Sequence, residues 1–378
     1  MSSVPVETIP GDDLTKKPPS GIGLCLSGGG YRAMVFHVGA LWRLYEAGML
    51  GGVARISSVS GGSITAAVLG LNWGKLSFDP AKIAQDFVPH VVAPVRRLAG
   101  ETIDAEAIIL GIALPGRISD RIAGAYRKHL FGDATLQDLP DEPRFVINAT
   151  NVQSGALWRF MKPYMRDYRV GEIKSPTVPL SLAVAASSAF PPVLSPVEMS
   201  PDPDDFTPNS GLDLQRKPFT SKVVLSDGGI YDNLGLETVW KRYQTVLVSD
   251  AGGQMQPEEE PKSDWARHSY RVLNIIDNQV RSLRKRQLIE SYIAGDRQGA
   301  YWGIRTDTAD YGLSDALPCP YARTVSLAEI ATRLKRMDDS VQERLINWGY
   351  AVCDAALRRH VSQDIAKPKG FPYPDRRV

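Results

Sequence analysis

The stretch Ser58-Val59-Ser60-Gly61-Gly62 approximates G-x-S-x-G, with Ser58 in place of the first glycine. A serine in that pattern sits on a strained strand-to-helix turn, its hydroxyl presented at the head of a helix, and only small neighbours fit the crowded corner. Ser60 is therefore a candidate nucleophile; an N-capping serine in a Ser/Gly loop is the structural alternative. Ser57 and Ser63 read as structural. A second stretch, "LSGGGYRAM" (26–34), sets Gly28, Gly29 and Gly30 between a strand and a helix. Backbone N–H groups can converge there without side-chain obstruction, and the helix N-terminus adds positive potential. An oxyanion hole uses that arrangement. So does a dinucleotide pyrophosphate, since Gly28, Gly30 and Ala33 also fit G-x-G-x-x-G/A. The dinucleotide reading needs an acid at the end of the next strand, which here ends in serine. A glycine turn without a ligand is the third alternative.

A third stretch, "LSDGGIYDNLGLE" (225–237), ends an apolar run in Asp227, followed by Gly228 and Gly229. An acid at the carboxyl end of a strand stands where open α/β sheets bind ligands, which makes Asp227 a candidate base for Ser60. Asp-Gly is equally a common turn pair. A serine nucleophile usually has a histidine base. His37 falls in the middle of a helix, His90, His129 and His268 in polar helical contexts, and His360 in a basic segment. None ends a strand; a triad through His268 or His360 stays open, because its order would be Ser…Asp…His.

These residues need elements that hold them. "GIGLCLS" (21–27) and "VARISSV" (53–59) read as strands, each followed at once by an amphipathic helix. Repeated strand–turn–helix is the pattern of an α/β sheet with helices on both faces, three layers in all and mostly parallel. Further strands are expected at 144–150, 222–227, 245–251 and 301–306, and a long helical region at 325–360. Residues 1–20 read as a flexible arm, 21–360 as the α/β domain with its part beyond about 256 less clearly patterned, and 361–378 as a basic tail.

Bulk properties exclude several classes. In 378 residues the net charge is +2, with 43% hydrophobic and 23% charged residues, which gives no pull toward nucleic acid. Cys25, Cys319 and Cys353 have no metal-like spacing and suggest buried thiols in a reducing compartment. "DPDD" (202–205) lacks the ligand spacing of a calcium loop, so no metal is expected. No apolar leader begins the sequence, and prolines interrupt the longest uncharged stretch, 175–197, so a cytoplasmic protein is expected. "RSLRKRQ" (281–287) reads as a solvated helix face, with contact to anionic lipid as the functional alternative.

Taken together and in this order, "GGGYR" (28–32), "SVSGG" (58–62) and "DGG" (227–229) resemble the patatin-like phospholipase family. "NATNVQSGALWRF" (148–160) and "AVAASSAFPPVLSP" (183–196) are similar to further segments of it, over roughly residues 20 to 255. The resemblance implies an α/β fold with a Ser60–Asp227 dyad that cleaves acyl esters of phospholipid or another lipid without histidine or cofactor. It implies an oxyanion hole from Gly28, Gly29 and Gly30, with Arg32 holding that loop. Ser58 and Gly62 would shape the nucleophile turn, and Gly228 and Gly229 the acid turn. Ser58 and Ala33 stand where the family pattern has glycine. Peripheral membrane contact and an activating ligand or protein are further implied partners, and no nucleic acid polymer is expected. The other reading is a catalytically silent module that binds a nucleotide or phosphate on the 28–33 loop. Apolar residues of 189–199 and the polar loop 200–221 are expected to form a mobile lid over Ser60.

Overall fold

The computed structural model describes residues 20–103, 117–192 and 194–378. The expected N-terminal arm lies outside them, save for its last residue. The chain opens with strand β1 (Ile22–Leu26), helix α1 (Gly30–Glu46), strand β2 (Val53–Val59) and helix α2 (Gly61–Asn72). Helices α3 (Ala93–Ala99) and α4 (Arg117–Tyr126) lead to four strands, β3 (Arg144–Asn151), β4 (Ala156–Phe160), β5 (Tyr164–Asp167) and β6 (Gly171–Lys174). Then come α5 (Leu180–Ser187), β7 (Val197–Met199), β8 (Val223–Asp227), two single turns α6 (Gly229–Asp232) and α7 (Glu237–Trp240), and β9 (Thr245–Asp250). The rest is α8 (Trp265–Ile293), β10 (Gln298–Gly303), α9 (Tyr321–Ala328) and α10 (Asp339–His360).

All ten strands share one sheet, ordered β10-β9-β1-β2-β3-β4-β5-β6, with β8 paired to β3 and β7. It is a mixed sheet with helices on both sides. From β10 to β3 every pairing is parallel, and this half carries the candidate site. From β3 onward the pairings are antiparallel, because short loops join β3 through β6 and leave no length for a crossover. Side chains alternate across a strand, so β1 feeds two cores. Leu24 and Leu26 enter the large core with α1 and α10, while Cys25 joins Leu234, Val239 and Leu288 on the opposite face. α1 is buried from Gly30 to Tyr45, its polar side chains Arg32, His37 and Arg43 each held by hydrogen bonds. It stops at Gly48, whose φ of 67° closes a Schellman turn: Gly48 N–H donates to Tyr45 and Met49 N–H to Leu44.

The sequence beyond 240 is integral to this domain. β9 and β10 extend the sheet from the edge of β1. α10 crosses α1 with backbones almost in contact: a Cβ on Gly39 would lie 1.9 Å from Ile346 O, and one on Gly349 2.0 Å from Phe36 O. Three expectations change here. The last strand begins three residues before 301. The helical region 325–360 is broken across 329–338, because that backbone turns inward to serve other elements; Tyr31 N–H donates to Arg333 O at 3.0 Å and Ile103 N–H to Leu334 O at 3.0 Å. The basic tail is docked rather than free: Asn347 Nδ2 donates to the carbonyls of Tyr373 and Arg377, both at 2.8 Å, Arg376 pairs with Glu343, and Val378 is buried.

Candidate active site

The sheet itself brings Ser60 and Asp227 together. β2 runs parallel to β3 and ends where Val59 pairs with Asn148. β8 runs antiparallel to β3 and ends where Asp227 pairs with Ala149. β4 occupies the other edge of β3 over the same residues, so β2 and β8 share one edge and meet end to end. The last residues of β2 and β8, Val59 and Asp227, thus fall one strand step apart, about 3.3 Å along β3, and Ser60 follows at the junction. The Ser60 hydroxyl faces the Asp227 carboxyl across this junction, near enough to favour its ionised form.

Ser60 has φ 52° and ψ −121°, a strained conformation for a residue with a Cβ. Close packing enforces it. A Cβ on Gly62 would lie 2.5 Å from Leu26 O, and one on Gly61 2.1 Å from Gly30 O. Beneath the turn runs a directed chain of buried hydroxyls. Ser60 N–H donates to Ser187 Oγ (3.0 Å), Ser187 bonds Ser63 (2.9 Å), Ser63 donates to Ser58 (3.0 Å), and Ser58 donates to Val146 O (3.1 Å). Ser58 therefore fills the glycine position of the motif because its hydroxyl has both a donor and an acceptor waiting. Ser57 anchors the other face, donating to Gly235 O at 2.6 Å and accepting from Asn148 and Thr238. Ser187→Ala leaves the Ser60 N–H unpaired in the interior and removes the donor to Ser63, a loss of about 1–3 kcal/mol. The expected result is a lower denaturation midpoint together with a lower kcat; an unchanged kcat would detach this chain from catalysis.

Asp227 is 2% exposed, and burial pushes its carboxyl up to about 7 against the hydrogen bond from Gly229 N–H and the nearby Ser60 hydroxyl; Asp277 adds to the rise. Gly229 N–H donates to Asp227 Oδ1 at 2.7 Å, and Thr150 Oγ1 holds the Asp227 carbonyl at 2.8 Å. Both turn glycines are sterically required: a Cβ on Gly228 would lie 2.4 Å from Asn148 O, and one on Gly229 2.6 Å from Asn233 Oδ1. No histidine lines the Ser60 cavity among the described residues. His37 is fully buried, takes a hydrogen bond from Ser249 on Nδ1 and donates from Nε2 to Ser27 O. Burial holds it down at about 4, a neutral core imidazole.

The glycine loop is more selective than its composition suggests. Gly28 N–H is already spent on Asn233 O at 3.1 Å, so Gly28 leaves the expected donor set. Gly29 (φ 140°) and Gly30 (φ 59°) line the cavity with Ser60, and among the described residues their N–H groups have no hydrogen-bond acceptor. Arg32, 3% exposed, ties the loop to the distant chain by donating to the carbonyls of Ala251, Ala328 and Ile330. Segment 329–338 and α8 complete the site through Arg333, Asn274 and Asp277, none of which sequence reading found. A signal existed in α8: Asn274, Asp277, Asn278 and Arg281 recur on one helical face.

The cavity holds about 520 Å³. Phe190, Pro191, Pro192 and Leu194 line it, as expected of the apolar part of the lid. The polar part lies elsewhere. β7 pairs with β8, Phe206 bridges to Ile173, and Thr207 and Leu212 bond Glu172 and Tyr168. The loop 200–221 is thus pinned to the antiparallel end of the sheet, and α8 stands over the cavity instead. "RSLRKRQ" is likewise not simply solvated: Arg281 lines the cavity and Arg284 pairs with Glu237 and Asp232. Among the described residues no cluster of His, Cys, Asp and Glu is placed to hold a metal, and no helix is long and apolar enough to cross a membrane.

A comparison with curated proteins finds no match. Among solved structures, human GIVD cytosolic phospholipase A2 in complex with methyl gamma-linolenyl fluorophosphonate is similar at 13% identity and TM-score 0.50, over 89% of this chain and 57% of that one. Another structure of the human protein matches at 15% identity and TM-score 0.40, over 67% and 50%. VipD from Legionella pneumophila matches at 16% identity and TM-score 0.32, over 82% and 67%. The chain spans about half the length of the human structures it matches, and at these identities the likeness is one of fold. The family model for patatin-like phospholipase matches residues 24–240, more than half of the sequence and the whole span from the glycine loop past Asp227. With that match the chain belongs to the patatin-like phospholipase family.

Proposed function

We propose that the protein is a lipid acyl hydrolase in which Ser60 is the nucleophile, Asp227 its base, and Gly29 and Gly30 the oxyanion donors. The observation that carries this reading is a serine hydroxyl beside a buried carboxyl poised near neutrality, both lining one partly apolar cavity. Asp227 takes the Ser60 proton as Oγ attacks the ester carbonyl. The carbonyl oxygen becomes an oxyanion facing the two free N–H groups. Collapse expels the alcohol, which leaves with the proton from Asp227, and an acyl-Ser60 ester remains. Asp227 then deprotonates a water that attacks the acyl group, and the returning proton frees Ser60. A fluorophosphonate probe and a panel of lipid esters test this: labelling and product release are expected in wild type and absent in Ser60→Ala. Labelling that persists in Ser60→Ala would overturn it. The nucleotide-binding reading fares worse, because Asn233 O takes the Gly28 N–H.

Peripheral contact with a membrane belongs to the same proposal, and α8 supports it. Trp265, Val272, Ile276 and Leu283 recur along the face opposite the cavity-lining residues, and all are exposed, Trp265 by 83%. A patch of this kind on the element that roofs the cavity suits a helix lying in a lipid interface. Burying one such side chain is worth about 1.5–3 kcal/mol. The double variant Ile276→Asp/Leu283→Asp should therefore lower sedimentation with phospholipid vesicles, and hydrolysis of vesicle lipid, by at least about tenfold. Hydrolysis of a short-chain soluble ester should stay within about twofold. Unchanged vesicle binding would remove α8 as the contact.

A further inference from the structure

A second cavity, of about 590 Å³, opens beside the first and shares Gln254, Asn278 and Arg281 with it. Its lining is dominated by polar groups, and three cations face it: Arg281 and Lys285, one turn apart on α8, and Arg305 beyond β10. Among the described residues none of the three has a carboxylate at ion-pair distance. Arg284, on the same helix but turned toward the body, makes the contrast: it pairs with Glu237 at 3.2 Å and Asp232 at 3.7 Å. Asp277, one turn before Arg281 on α8, lines the Ser60 cavity and offsets part of the Arg281 charge; the other carboxylates near the cavity are engaged or peripheral. Asp250, 8% exposed, accepts from the Tyr301 hydroxyl at 2.7 Å and Gly252 N–H at 2.9 Å, and it offsets part of the positive charge. Asp307 accepts from Ala309 N–H at 3.0 Å, and Asp310 is exposed at the rim. Arg305 Nε is buried with no partner, and its Nη2 reaches Ala328 O only at 3.4 Å. Lys285 Nζ is held 4.4 Å from the centre of the Tyr301 ring, so its position is set by the fold.

Half-buried guanidinium groups that face a polar cavity without a carboxylate partner favour an anion there. Planar, multiply donating guanidinium with a nearby ammonium suits a tetrahedral oxyanion. We propose that Arg281, Lys285 and Arg305 form a phosphate-binding site. Resting on the hydrolase reading above, this site receives the head-group phosphate of a glycerophospholipid whose acyl ester lies at Ser60. Arg281, common to both cavities, stands where the glycerol joins the two.

The test compares a phospholipid with a diacylglycerol bearing the same acyl chains, both in neutral detergent micelles. In Lys285→Gln/Arg305→Gln, which leaves every residue of the Ser60 cavity in place, KM for the phospholipid should rise roughly tenfold or more, as loss of charge-assisted bonds implies. Diacylglycerol kinetics should be unchanged, and Lys285→Arg should keep the wild-type phospholipid KM. Equal effects on both lipids, or none, would overturn the site. Calorimetry with glycerol 3-phosphate and inorganic phosphate provides the second arm. Binding that competes with phospholipid and is lost in the double variant supports the head-group assignment. Phosphate binding that does not compete overturns it in favour of a free phosphate ligand. Wild type inactive on both lipids would defeat the hydrolase reading, while calorimetry would still decide the phosphate site: no phosphate binding, or binding retained in the double variant, removes it.

Discussion

Ser60→Ala is expected to lower lipid-ester hydrolysis by about 10⁶, the scale seen when a covalent nucleophile is removed. Asp227→Asn should lower it by about 10²–10⁴, the ordinary contribution of a general base. The double variant should be little worse than Ser60→Ala, because the two side chains serve one proton transfer. The pH dependence follows from the buried carboxyl. A base must be ionised to accept the serine proton, so kcat/KM should rise with pH through about 7 and level off above it. Deesterification kinetics with a soluble ester from pH 5 to 9 measure this. A profile flat across that range would exclude Asp227 as the base.

The same carboxyl carries a cost that Asn escapes. In the unfolded chain its pKa is near the ordinary 3.8, and in the folded protein it is about 7. Between those values the folded state holds a proton that the unfolded state has lost, so wild-type stability falls as pH rises through this window. At about 1.4 kcal/mol per pKa unit, the penalty above pH 7 is on the order of 4 kcal/mol. Asp227→Asn should therefore melt higher than wild type at pH 8, with the gap closing toward pH 4. An inactive variant that is also less stable at pH 8 would mean that the hydrogen bonds to Asp227 outweigh its desolvation.

The second large effect concerns Gly39→Val. The α1–α10 crossing leaves no room for any side chain there, since the nearest obstacle is backbone rather than a side chain that can rotate away. Overpacking typically costs about 1–3 kcal/mol, and parting two central helices belongs at or beyond the top of that range. Gly39→Val should lower the denaturation midpoint sharply and reduce catalysis with it, because α1 begins at Gly30, one of the two proposed oxyanion donors. Gly124→Ala is the control. It sits exposed in α4 with nothing within 4 Å of the new Cβ, and it should gain about 0.5–1 kcal/mol from helix propensity. Similar losses in both would point to a general intolerance of substitution rather than to the crossing.

What the sequence made legible was local. The Ser60 turn, the Asp227-Gly228-Gly229 turn and the first two strands each announce themselves through small residues and apolar runs within ten positions. What stayed hidden depended on distant partners. Gly28 looks like its two neighbours until Asn233 takes its N–H. Residues 329–338 carry helix-forming side chains, yet their backbone folds inward because Arg32 and Tyr31 need acceptors. The loop 200–221 is polar and proline-rich, as a lid would be, but polarity alone does not say which end of the sheet it covers. The hydroxyl chain beneath Ser60 joins serines up to 127 positions apart, and nothing in their neighbours marks them as a unit.

The tie between Arg32 and the carbonyl of Ile330 spans 298 positions of the chain. A ribosome delivers the nucleophile turn, the acid turn and the glycine loop long before it delivers that anchor. From the acid turn to Ile330 the nascent chain therefore carries every group of the proposed reaction without the frame that aligns them. β9, β10 and α10 must all emerge before α1 can settle against its partner. Order of synthesis thus separates the reacting groups from their alignment: a chain cut ahead of Ile330 keeps Ser60 and Asp227 but loses the carbonyl that anchors the glycine loop through Arg32.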